Sequence, residues 1–134
     1  MEEARSSARE EAAVGRLRRM AAAQAEFRSG TCVNAYAELD GLLKPGTAIP
    51  NYPPDGPTFL PPEFARAEAL GYRFELTVDE AVPETEGCAA RGYRRFAYAA
   101  QPTEAGGRHL LVGPDGVVHA AAGRAATDAD PAVH

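Results

Sequence analysis

Tryptophan is absent from this 134-residue chain, aromatics make up only 7% of it, and cysteine and histidine occur two and three times. A core with so few rings is lean, and at 45% hydrophobic and 25% charged residues the chain suits one small domain rather than two. No apolar run approaches the roughly 20 residues that cross a bilayer. Met1 to Ser7 are mostly polar and charged, where a secretory signal needs an apolar segment. An excess of basic charge is lacking too. With a net charge of -5 and arginines scattered among acids, no nucleic-acid footprint is expected. Arg16, Arg18 and Arg19 read as a solvated or inter-subunit helix face rather than as phosphate contacts.

Patterns that carry chemistry are equally sparse. There is no G-x-S-x-G elbow and no phosphate loop, so an enzyme is not expected. His109 and His119 could face each other across a hairpin, an arrangement that occasionally binds metal. With no third ligand evident, a surface pair without function is the simpler expectation. Glu84 and Glu86 fall in a turn with no apolar pocket to perturb them and read as solubilising. Cys32 and Cys88 lack the close-spaced pairs of a structural zinc site. One disulfide tying a helix exit to a sheet, and with it an oxidising compartment, is preferred over two unrelated free thiols.

What the chain does have is a helix. Ala4 to Phe27 contains no Pro and one Gly and is dense in Ala, Arg and Glu, the residues that lose least on becoming helical. Val14, Leu17, Ala21, Gln24 and Phe27 recur at helical spacing and form a stripe that can face a core. Before Val14 the only apolar residues are alanines, apart from Met1, set among charges. That half is expected to project or to pack against something outside the chain. Ser29-Gly30 should close the helix in a left-handed conformation.

Tyr36 to Leu43 has the spacing of a short helical segment, and Lys44 to Pro62 is a Pro- and Gly-rich surface loop anchored by Ile49, Tyr52 and Phe59. Pro62 to Leu70 reads as a short helix stopped by Gly71. Tyr72 to Val78 alternates strictly, as a strand with one wet face does. Val82 to Arg91 is a turn region carrying Cys88, and Tyr93 to Ala100 is the next strand. Arg108 to Val112, the turn signal Pro114-Asp115-Gly116 and Val117 to His119 complete a hairpin, followed by a small-residue arm. The predicted fold is therefore α+β: a long N-terminal helix packed on a three- to four-stranded antiparallel meander. Residues 1–134 divide into a spine (1–28), a loop region with short helices (29–70), a sheet (71–120) and an arm (121–134). Leu17, Phe27, Tyr72, Phe74, Leu76, Phe96, Leu110 and Val118 are expected to share one core.

This order resembles the type IV pilin and pseudopilin family. The resemblance rests on the helix from Ala8 to Phe27 with Glu10, Val14, Leu17, Arg18 and Gln24. It continues through Tyr36, Leu39 and Leu42, then Gly71-Tyr72-x-Phe74-x-Leu76, and closes with the Leu111 to His119 hairpin and a tail ending near Asp130-Pro131. It implies a structural subunit of a type IV pilus or type II secretion pseudopilus. The prepilin leader and the apolar front of the helix would then be missing from this chain. Partners would be other pilin or pseudopilin subunits, met through Arg9, Val14, Arg16 and Arg19, with membrane contact only through the missing segment. The place would be an extracellular filament, the cell surface, or the periplasm-facing side of the inner membrane. The major pseudopilin's calcium loop makes Asp115, Asp128 and Asp130 candidate calcium ligands, against the simpler reading of Asp115 as a turn residue and the others as solvated; no other cofactor is implied. The alternative, from a different class, is a secreted or periplasmic module that holds a peptide or glycan with the Pro-rich loop, Tyr52 and Phe59.

Overall fold

The computed structural model describes the backbone of residues 2–133 and the side chains of residues 7–133. The long helix forms as one piece, α1, over Glu2–Gly30. Its buried face is Ala13, Leu17, Met20, Gln24 and Phe27, flanked by Val14 and Ala23. This alternation of four and three residues keeps one seam against the sheet. Met20 replaces Ala21 in the expected stripe, Ala21 being only half-buried. Gly30 is not left-handed; the Thr31 hydroxyl donates to the Phe27 carbonyl at 2.7 Å, and Asn34 takes the positive φ of 51°. Gln24, fully buried, donates to the Ala37 carbonyl and accepts from the Ala37 amide, both at 2.8 Å. Its amide thus serves the loop after α1 as a neighbouring strand would, satisfying backbone groups that burial would otherwise leave unpaired.

Beyond α1 come a five-residue helix, α2 (Leu39–Leu43), and 3-10 turns at Pro45–Thr47 and Pro62–Ala65. The helix expected over Pro62 to Leu70 does not form. A run that short holds few internal bonds, and its second half pairs instead as β1 (Glu68–Ala69) with β2 (Tyr72–Ala81). Leu70 (φ 58°) and Gly71 (φ 77°) make the two-residue hairpin loop between them, both left-handed as a type I′ turn demands. Glycine takes this conformation freely, whereas leucine does so at a cost of about 1–2 kcal/mol.

The sheet is a meander of five antiparallel strands in the order β1-β2-β3-β4-β5, with β3 at Tyr93–Pro102, β4 at Arg108–Val112 and β5 at Val118–Ala122. The expected three or four strands miss β1. Tyr72, Phe74, Tyr98, Ala100, Leu110, Val112, Val118 and Ala120 line the face under α1. Leu76 is only half-buried at the margin of that core, and Phe96 lies apart from it against Tyr36, ring centroids 4.8 Å apart.

The two flanks of the sheet are guarded differently. On one, β1 covers only the start of β2, and the remaining stretch carries Glu75, Asp79 and Glu80, the last at a φ of 58°. On the other, the C-terminal arm lies along β5, with the Ala120 amide donating to Pro131 at 3.0 Å and the Val133 amide to Val118 at 2.7 Å. Cys32 and Cys88 form a disulfide, Cα atoms 5.7 Å apart, that ties the exit of α1 to the β2–β3 connection.

Candidate functional site

Two surfaces stand out: the outward side of α1 with the sheet end over which it runs, and a cleft on the far face of the sheet. The helix residues expected to meet neighbouring subunits are all engaged within the chain. Val14 is 5% exposed, in the core. Arg16 does not face outward. Its Nε donates to the Tyr98 hydroxyl at 2.9 Å and its terminal nitrogen to the Arg66 carbonyl at 2.7 Å. The guanidinium lies 4.2 Å from the Phe74 ring centre and 4.7 Å from that of Phe64. A planar, weakly hydrated cation suits such a slot, where a lysine would not. Burial pushes the Tyr98 hydroxyl above its ordinary pKa, and the adjacent Arg16 offsets part of the rise.

Arg19 donates to the Phe59 carbonyl at 3.0 Å and Arg18 to the Val133 carbonyl at 3.3 Å, so their charges stay exposed without a carboxylate partner among the described residues. Arg9 lies 3.5 Å from Glu104, and Glu10 binds Arg108 through both carboxylate oxygens. The N-terminal half of α1 is therefore docked from Arg9 onward. The expectation that the whole half projects is corrected to the turns before Arg9, where Ser7 and Ala8 are exposed. Two ion pairs anchor a stretch that offers little apolar area of its own.

The cleft, about 520 Å³, lies between the β4–β5 turn and the C-terminal arm and is lined by Ala97, Leu111, Pro114, Asp115, His119 and Asp128. His119 is buried at 9% exposure. Its Nδ1 lies 2.8 Å from the Asp130 carbonyl, which can only accept, so Nδ1 carries the proton and donates. Nε2 is left without a hydrogen bond, 3.5 Å from an Asp115 oxygen, a contact that becomes an ion pair only when the ring is charged. His109 pairs with Ala121 and His119 with Leu111, so the two histidines do not face each other as expected.

Of the calcium candidates, Asp115 and Asp128 reach this one cleft, but Asp130 turns away. Arg124 and the Thr127 amide and hydroxyl occupy the Asp130 carboxylate, whose pKa they hold far below the usual range. Asp130 is thus a paired, largely covered residue rather than a solvated one, its side chain 9% exposed. Asp115 does act as a turn residue, accepting from the Val117 amide at 3.1 Å. Among the described residues no three His, Cys, Asp or Glu side chains converge as a metal ion requires.

The aromatics of the Pro-rich loop are also spent internally. Phe59 packs edge-on against Phe27 at 5.4 Å, and the Tyr52 hydroxyl donates to the Pro57 carbonyl. No described helix is long and apolar enough to cross a membrane. Compared with protein families, with curated proteins and with solved structures, the chain matches none. Sequence reasoning missed the slot that holds Arg16, because Phe64 and Phe74 come from segments 48 and 58 residues away and no local pattern joins them.

Proposed function

We propose that the chain is the head-bearing part of a structural filament subunit of the type IV pilus or type II secretion pseudopilus kind, its role being assembly rather than catalysis. The observation that carries this reading is the form of α1. It is one uninterrupted helix of 29 residues, clasped by the sheet over Arg9 to Phe27 and continuing past the sheet's end toward Glu2. An apolar continuation of that helix would pack in the filament axis and leave the sheet outside, with affinity coming from buried helix area. Arg9 and Arg19, exposed on α1, would then meet acids of neighbouring subunits. The disulfide suits an oxidising setting at the cell surface or on the periplasm-facing side of the inner membrane.

The test is recovery of the native protein from its own cells, with N-terminal sequencing and electron microscopy using antibody against the head. Filaments that carry the label, and a mature N-terminus in an apolar segment upstream of Met1, are the expected result. A free secreted or periplasmic monomer with no such segment overturns the reading in favour of a binding module.

A further inference from the structure

Two large apolar side chains are exposed among the described residues: Leu70 at 44% and Val117 at 38%. They lie at opposite ends of the sheet, because a meander places the β1–β2 and β3–β4 connections at one end and the β2–β3 and β4–β5 connections at the other. With β2 ten residues long, the two ends are about 30 Å apart.

Leu70 costs its own fold backbone strain. Asparagine or glycine would hold the same type I′ turn without it, and the leucine side chain is left 44% exposed. Strain held at an exposed position points to a role outside the fold. At the other end of the molecule the cleft of about 520 Å³ has apolar walls in Ala97, Leu111 and Pro114, and acids at Asp115 and Asp128. Arg95 also lines the cleft, but Asp79 and Glu80 hold its guanidinium, so the charge left there is acidic, while on the tip Arg9 meets Glu104 only at 3.5 Å. Arg9, 47% exposed, stands beside the Leu70–Gly71 tip, with its side chain against Gly71.

We propose that the Leu70–Gly71 tip of one copy seats in this cleft of a second copy, with Leu70 against the apolar walls and Arg9 facing Asp115 and Asp128. The contact joins two different patches, so it repeats head to tail and builds an open row instead of closing as a two-fold dimer. It rests on the filament reading and deepens it by naming one contact between heads. One hairpin tip buries less than a stable free-standing interface needs, so the contact gains its strength from subunits already held along a common axis.

The test uses Leu70→Asn, and separately a photoreactive phenylalanine analogue at Leu70, both in the filament-forming native protein. Leu70→Asn is expected to raise the melting temperature of the domain while cutting filament yield at least tenfold. Asp128→Arg should also cut assembly, and adding Arg9→Asp should restore it. The photoadduct should map to residues 111–128 of another copy. Unchanged assembly by folded Leu70→Asn, or adducts elsewhere or absent, overturns the contact and leaves the filament reading standing. If the unmodified protein forms no filaments, that reading falls, and the photoadduct alone then decides whether the two ends recognise each other.

Discussion

The Glu10 carboxylate accepts two bonds from Arg108, from Nε at 2.8 Å and from a terminal nitrogen at 2.9 Å, and so fixes the early part of α1 to the first residue of β4. The bond to Arg108 lowers the Glu10 pKa below the usual carboxylate value, against a smaller opposing effect of burial. A carboxylate depressed on folding contributes stability above its unfolded pKa and loses it as pH falls through the folded one. Glu10→Ala should cost about 0.5–1 kcal/mol at neutral pH, discounted because the Arg108 side chain is 46% exposed. Amide exchange should quicken mainly between residues 7 and 14. Arg108→Ala on top of Glu10→Ala should add little.

Arg16 holds α1, β2, β3 and the segment after the second 3-10 turn together through Phe74, Tyr98 and the Arg66 carbonyl. Arg16→Ala strands a buried hydroxyl and empties a slot between two rings, and should destabilise by about 2 kcal/mol in urea unfolding. Arg16→Lys should recover less than half of that, because an ammonium cannot bridge the same partners from the same plane. Charge reversal at Arg16 therefore disturbs the fold itself, and Arg19 is the position at which a surface effect on assembly can be read.

Reducing the Cys32–Cys88 bond opens a loop closed over 56 residues. Loop-closure entropy alone places the loss at about 4 kcal/mol. Thermal melts with and without a reductant should differ accordingly, and the β2–β3 connection should be the first part to become protease-sensitive.

At the C-terminal end, Asp130 is held by Arg124 and by Thr127, and its pKa is strongly depressed. By the same sign, this contribution is complete above the unfolded carboxylate pKa and is lost only as pH falls through the much lower folded value. The arm should therefore stay latched at pH 4 and release in stronger acid. In Arg124→Ala the release should shift to higher pH, as read from the NMR signals of Ala132 and Val133.

How much of this was legible in the sequence depends on the range of each signal. The helix and the strand beginning at Tyr72 rest on local periodicity, and the strands beginning at Tyr93 and Arg108 on segments bounded by turn signals; each formed where its local signal ran. The pairing of Glu68–Ala69 was hidden because Ala-rich composition favours helix while the deciding partner, Arg73, lies beyond a turn built on an unusual leucine. Gln24 was placed on the buried stripe, yet its purpose, feeding the Ala37 backbone, is visible only once the loop has closed over it. The cleft around His119 was out of reach for the same reason. It needs the arm folded back along β5, and small residues such as Ala126 and Ala129 carry no pattern that announces this.

The treatment of the two flanks has a consequence for life at high density. An incoming chain finds the β5 side already taken by the protein's own tail, and on the β2 side it meets charged side chains, Glu75 with Asp79 and Glu80 held by Arg95, and a left-handed residue at Glu80. Copies crowded together find one side of the ladder capped and the other guarded by charge and a left-handed residue, which disfavours edge-to-edge pairing. Association through side chains is favoured instead, and that keeps it selective and separable.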